Sequence, residues 1–410
     1  MPPLIVFEDA TFADLLPLTY WRSVFELRAG RKTLLDRIAF RLNTPVSGVW
    51  VRDWLAPVAG ERCRLPVNRP VETGSVLVNG LWLVDRALSF HAPPFVGVSD
   101  SGRIVYVACD DALARRVSPR VLLDAGASAG LARSFPSGPV EADLIRYPWD
   151  IVRRNADLLH SDWAGRDDAA LIGTVHPTAV IEDRRHVHIG DKAVVEPLAV
   201  LDATRGPIFI ADNALIESHA TVRGPAYVGV GAAVRCGAVI REGTSVGPVC
   251  KVGGEIDAAI FSGFSNKQHD GFLGHSYVAN WVNIGASTSN SDLKNTYGTV
   301  RALVNGKELD TGSMFYGAAI GDHAKLAINQ SIPAGASIGF AANVACGGLV
   351  PKFVPSLAWL TDAGLQTADV SRVLATAAKV MARRHVELTA AERALFEHIA
   401  STAPLHERRE

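Results

Sequence analysis

IGDKAVVEPLAVL (Ile189–Leu201) is the stretch that decides the fold. Ile189, Val195 and Leu201 stand six apart, and Ala193 and Ala199 follow the first two by four residues. The spacing continues as Ile210, Ile216 and Val222, then Val230 and Cys236. It returns at Met314, Ile320, Leu326, Ile332, Ile338 and Val344. Small residues keep the fourth place at Ala214, Ala220, Ala226, Ala318, Ala324, Ala336 and Ala342. A period of six fits neither a 3.6-residue helix nor a simple alternating strand. It describes a triangular solenoid in which each hexad supplies one short strand and one corner. The leading aliphatic points inward, the residue four places on must be small, and glycine or asparagine suits the turn. Three hexads close a coil, which is the signature of a left-handed parallel β-helix.

The composition agrees. Of 410 residues, 48% are hydrophobic but only 7% aromatic, and there are 36 glycines and 22 prolines. Narrow coils with many corners need such residues, and so apolar a chain is not disordered. With 41 basic and 42 acidic side chains the formal charge is −1, which excludes a dedicated nucleic-acid binder but not local phosphate recognition. Five cysteines with no C-x-x-C pair read as reduced thiols of a cytoplasmic protein. At the amino terminus no basic segment precedes the apolar run, and Glu8 and Asp9 follow at once, unlike a signal peptide. Leu326 to Val350 is uncharged and long enough to span a bilayer. Asn329, Gln330, Pro333, Asn343 and the six-residue period assign it to the solenoid instead, so no membrane span is expected.

Outside the repeat, residues 1–165 read as an α/β layer domain. Strand signals lie at Leu4–Phe7, around a turn in Val76–Val84, and in a hairpin over Phe95–Val107; helices are expected at Thr33–Leu42 and Pro148–Leu159. The β-helix is expected over 166–360 and a helical tail over 361–410. In the tail Val370, Leu374, Ala377, Ala378 and Met381 trace one face, and Thr389 with Glu392 forms a capping box.

Function gathers where a repeat breaks. The period is lost from about Gly253 to Ser313, where polar residues crowd together: Ser265 to Gly271, Asn283, and Asn290 to Asn295. His269 is the candidate general base, since an imidazole accepts a proton near neutral pH.

Several segments here resemble one known family. Val234-Arg235-Cys236-Gly237-Ala238, Lys267-x-His269, Gly274 and Val282-Asn283-Ile284-Gly285-Ala286 are similar in order and spacing to the acetyltransferase half of the bifunctional glucosamine-1-phosphate acetyltransferase/N-acetylglucosamine-1-phosphate uridylyltransferase. The closer likeness is to a divergent sugar nucleotidyltransferase branch of the same two-domain build. Its typical segments look like Lys251 to Glu255, Ser265 to Lys267, His269 to Gly274, Ile320 to His323 and Met381 to Arg384. The resemblance implies a nucleotidyltransferase-like α/β domain, a β-helix acyltransferase and a homotrimer with acetyl-CoA sites between subunits. It implies His269 as catalytic base and Arg235 as the grip on the sugar phosphate, with Lys251, Lys267, Asp270 and Asn283 also on the substrate. Ala286 and Ala324 fall to the acetyl-CoA. In the first domain it points to Thr19, Arg22, Arg28, Asn79 and Asp85 for a nucleoside triphosphate with Mg2+. The departures are plain: there is no glycine-rich phosphate loop after Leu4–Phe7, Leu81 stands where the family has a metal-binding aspartate, and Phe272 replaces a tyrosine. The expected function is acyl transfer from acetyl-CoA to an amino-sugar-1-phosphate, with nucleotidyl transfer to a sugar-1-phosphate by the first domain. Nucleotidyl transfer alone, a non-catalytic nucleotide-sugar-binding trimer, and a zinc hydratase using His269, His275 and His323 are the alternatives.

Overall fold

The computed structural model describes residues 2–84, 89–163 and 169–407. The first domain is built on a six-stranded sheet in the order Val46–Trp50, Leu4–Phe7, Val76–Asn79, Ile104–Ala108, Phe95–Val98, Ser137–Pro139. The first three strands run parallel, and Ile104–Ala108 is antiparallel to both its neighbours. Leu4–Phe7 and Val76–Asn79 are buried throughout, as continuous apolar runs covered on both faces should be. A linker helix, Pro148–Trp163, leaves the sheet; Asp150 in its first turn accepts from the Tyr147 amide at 2.9 Å.

The solenoid follows. Its strands stack in register into three faces of six, nine and eleven strands, parallel except for Gly364–Thr367, which closes the eleven-stranded face antiparallel to Ala358–Thr361; this is a left-handed parallel β-helix. The chain passes from the eleven-stranded to the six-stranded face at a first corner, on to the nine-stranded face at a second, and back at a third. Residues in the left-handed backbone region mark these corners, often six apart: Lys192 and Leu198, Asn213 and His219, then Gly231, Gly237, Gly243 and Val249. The interior holds Ile189, Val195, Leu201, Ile210, Ile216 and Val222, with alanines beside them.

Three readings of the period need correction. Val230 is half exposed and Cys236 exposed; the inward residues there are Val228, Val234 and Ile240, which continue from Val222 without a slip. Met314 is also half exposed, and the inward series resumes at Ile320. The solenoid does not break at Gly253 either, because the ladder runs on through Asn266–Lys267, Phe272–Gly274 and Asn283–Ile284. Lys267 and Asn290 occupy buried positions there, and polar residues at inward sites hid the period. The true interruption lies between Ser289–Asn290 and Ala318–Ile320 and carries an antiparallel hairpin, Arg301–Val304 with Lys307–Asp310. At the far end strands persist to Gly364–Thr367, so the helical tail begins at Val370, later than expected. The tail has two helices, Val370–Ala382 and Ala390–His406, the second opened by the Thr389–Glu392 capping box.

One hydrophobic core fills the solenoid, while a second runs through the first domain, the outside of the nine-stranded face and the tail. Polar ties cross the same boundary. Asn155 of the linker helix accepts from Gly30 N at 2.7 Å and donates to Gly243 O at 2.7 Å, and Ser245 Oγ donates back to Gly30 O at 3.0 Å. Among the described residues no helix is long and apolar enough to cross a membrane.

Candidate functional site

The first corner collects the residues that the sequence singled out on the β-helix. Pairing sets Ala233 beside Lys251, Lys251 beside Asn266 and Asn266 beside Asn283, so Lys251, Asn266 and Asn283 form one outward row on the eleven-stranded face. Arg235 and His269 follow that row where the chain turns. Glu217 of the coil below holds Arg235 through its Nη1 and also accepts from the Cys236 amide at 2.9 Å. That leaves the guanidinium fixed yet partly open to solvent. The His269 side chain is exposed, and Asp270 accepts from Ser287 Oγ at 2.8 Å on the next coil. Ala286 is half buried at the same corner.

The tail adds two cations that the sequence analysis quoted but gave no role. Arg384 Nη2 donates to Asn266 Oδ1 at 3.0 Å. Burial, followed by the charges of Arg384, Arg235 and Arg383, holds the Lys251 ammonium below the usual lysine range. Four cations gather here against two carboxylates, Glu217 held by Arg235 and Asp270 bonded to Ser287, and the corner attracts an oxyanion.

Lys267 does not face a substrate. It is buried, and its ammonium donates to the carbonyls of Gly253 (3.3 Å), His269 (3.1 Å), Asp270 (2.8 Å) and Gly271 (2.8 Å). The reason lies one coil earlier. Only Gly253 and Gly254 separate Lys251–Val252 from Glu255–Asp257, whereas four residues, Arg235 to Ala238, fill the same corner below. A side chain at Gly253 would run into the Gln268 carbonyl. The tight corner leaves carbonyls facing the interior, and Lys267 plugs them; burial pushes its amine down to about 8. Ala324 is likewise enclosed in the solenoid core and offers nothing to a cofactor.

In the first domain the expected nucleotide ligands are committed elsewhere. Thr19 is buried and donates to Phe12 O at 2.8 Å. Arg22 forms a buried ion pair with Asp322 of the solenoid. Arg28 donates through Nε to Ser262 O at 3.1 Å, and its amide donates to the Tyr277 hydroxyl at 2.8 Å. Both arginines therefore strut the two domains together. Asn79 spends its amide on Asp9 Oδ2 (2.8 Å), Ile104 O (2.9 Å) and the Leu81 amide (2.9 Å). Asp85 lies outside the described residues. A divalent cation does not fit the described residues here, since Leu81 brings no carboxylate and Asp9 is taken by Arg103 at 2.9 Å as well as by Asn79. Among the described residues no group of three His, Cys, Asp or Glu could hold a metal ion.

One pair escaped the sequence analysis. His275 Nδ1 lies 2.8 Å from Asp292 Oδ2 at the second corner, with Phe315 stacked on the imidazole at 5.2 Å. Seventeen residues separate the two, and only the stacking of coils brings them together. His269, His275 and His323 fall on three different corners, so within one chain they do not converge on a shared ion.

Comparison with known proteins fits this build. Residues 4–168 match the sugar nucleotidyl transferase family. The bifunctional protein GlmU of Acidithiobacillus ferrooxidans is 28% identical over 173 residues, 41% of this chain and 33% of that protein. A bifunctional sugar-1-phosphate nucleotidylyltransferase/acetyltransferase of Sulfurisphaera tokodaii is 32% identical over 100 residues, 24% of this chain and 25% of that one. The chain thus spans about a third or less of the length of these relatives. Of solved structures, the Francisella novicida UDP-N-acetylglucosamine acyltransferase aligns with TM-score 0.29 and 16% identity, covering 58% of this chain and 78% of that one. The Campylobacter jejuni UDP-N-acetylglucosamine acyltransferase aligns with TM-score 0.29 and 13% identity, covering 55% and 96%. A sugar nucleotidyl transferase domain ahead of a hexapeptide β-helix makes the chain similar in build to the GlmU-like bifunctional proteins.

Proposed function

We propose that the protein is a cytoplasmic sugar-phosphate transferase that moves an acyl group from acetyl-CoA to an amino-sugar-1-phosphate at the first corner. The observation that carries this reading is the cluster of Arg235, Lys251, Arg383 and Arg384 beside the exposed His269. Arginine presents a fork that suits a phosphate, and the cations fix the acceptor with its amine toward the histidine. His269 takes a proton from the amine as nitrogen attacks the thioester carbonyl; the tetrahedral oxyanion then collapses, the C–S bond breaks, and coenzyme A leaves as the thiol. Asn283 and Ala286, on the same row and corner, line the acceptor and the thioester arm. Ile328 and Leu349 lie exposed on neighbouring coils farther along this corner, and a neighbouring subunit covers them in a homotrimer.

The test is thiol release from acetyl-CoA with a panel of amino-sugar phosphates. The reading predicts turnover with at least one acceptor, and silence across the panel rejects it. The family match of residues 4–168 favours a second activity, nucleotidyl transfer to a sugar-1-phosphate. Pyrophosphate release from UTP, dTTP and GTP with sugar-1-phosphates tests it separately. No release would leave the first domain as the support that Arg22 and Arg28 already make of it.

A further inference from the structure

The outward row of the eleven-stranded face continues beyond the candidate site, from Asn283 to Lys325, Asn343 and Trp359. A cavity of about 480 Å³ lies between this stretch and the first tail helix, lined by His323, Lys325, Asn343, Trp359, Gln366 and Arg372 among others. At its inner end His323 is buried at the third corner, and among the described residues both ring nitrogens lack a hydrogen-bond partner. Trp21 and Phe396 sit against the imidazole with ring centroids at 5.2 Å, and Trp281 lies nearly parallel to it at 6.2 Å. Burial, with Lys325, Arg62 and Arg22 nearby, holds this histidine neutral, so one nitrogen donates and the other accepts. Two orphaned polar atoms in such a place are costly unless something meets them. Beside His323, the Lys325 ammonium is held by the carbonyls of Trp281 (2.7 Å) and His323 (2.8 Å). The carboxylate lining the cavity, Asp369, caps the tail helix by accepting from the Arg372 amide at 3.1 Å.

We propose that this cavity is a second ligand site, separate from the first corner, and that it binds a sugar phosphate. The phosphate sits between Lys325 and Arg372, one face of the sugar lies on Trp359, and hydroxyls meet Asn343, Gln366 and the open nitrogens of His323. Lys325 and Arg372 outnumber Asp369, the carboxylate among the lining residues, whose Oδ1 already accepts from Ser371 and the Arg372 amide, and the two cations suit a phosphate. A neutral imidazole with a donor and an acceptor suits a hydroxyl, which is both. The site stands whether or not the first corner transfers acyl groups.

A pH signature follows. Burial pushes Lys325 down to about 7, and a phosphate dianion beside it raises that value, so binding takes up a proton. The charged and titratable groups around it in the cavity are His323, Arg372 and Asp369, with Arg22 and Arg62 near His323. His323 is held neutral, Asp369 is held below the usual carboxylate range by Ser371 and the Arg372 amide, and arginines keep their charge. The phosphate itself is already a dianion above pH 7. Affinity therefore falls between pH 7 and 9, by up to about tenfold per unit.

The experiment is calorimetric titration of the R235A protein, which removes the guanidinium of the first corner, with glucose 1-phosphate at pH 7, 8 and 9. The expected result is one molecule bound per chain, at least tenfold weaker after R372A or W359A. The fall with pH should disappear in K325M. R372A and W359A change exposed side chains and keep the test open if K325M does not fold. Absence of binding at millimolar ligand, or affinity that R372A and W359A leave within twofold, overturns the proposal, as does a flat pH profile in the R235A protein.

Discussion

Two histidines compete for the role of base, and their surroundings differ. His269 stands beside the cation cluster with no orienting partner among the described residues, whereas His275 has Asp292 to fix its ring but sits at another corner. Because chemistry needs the base next to the bound phosphate's sugar, H269A is expected to lower kcat for acyl transfer at least a hundredfold, with H275A within threefold of the parent. The opposite pattern in steady-state assays would hand the reaction to the His275–Asp292 pair. Lys267 gives a different forecast. K267M takes the donor from four carbonyls and should destabilise the chain by about 3 kcal/mol in urea unfolding. Its pKa supplies a check of sign. In the folded protein the amine titrates near 8, lower than in the unfolded chain, so the unfolded state holds the proton more tightly. Stability then rises as pH climbs from about 8 toward 10, and K267M should reduce that rise.

At the scale of strands and corners, the hexad period announced the solenoid because an interior coil position admits little but an aliphatic residue, with an alanine at the turn. The same rule explains what the sequence concealed. Where Lys267 and Asn290 replace aliphatics, the polar pattern looked like a break, although the ladder is intact. Residues of the candidate site were legible where motif and corner coincide, as at Arg235 and His269. Contacts between distant elements were not, because nothing in the local pattern of Arg22 announces Asp322, or of Arg384 announces Asn266. The Arg22–Asp322 strut can be probed directly. D322A leaves a buried guanidinium unpaired and is expected to cost about 4 kcal/mol, while the double change R22M/D322L should recover most of that loss. Chemical denaturation of the three variants measures it, and equal losses for D322A and the double variant would refute the pairing.

For the molecule as a whole, the second core makes the first domain, the nine-stranded face and the tail a single body. Trp21 of the first domain stacks on Phe340 of the solenoid at 5.4 Å and meets Phe396 of the tail edge-on at 4.9 Å. Arg62 also reaches Glu392 at 2.8 Å. Thermal unfolding followed by far-ultraviolet circular dichroism and by tryptophan fluorescence should therefore give coincident single transitions. Two separated steps would show that the domains melt independently.

The Arg22–Asp322 pair also carries a consequence for synthesis. Its partners lie 300 residues apart, so when the first domain emerges from the ribosome Arg22 has Glu26 nearby but lacks Asp322, its ion-pair partner, and Trp21 lacks Phe340 and Phe396. Those groups arrive only after nearly the whole solenoid has been made. The first domain, translated ahead of the solenoid, is thus among the last parts to reach its final packing, and the coils accumulate beneath it before it can settle.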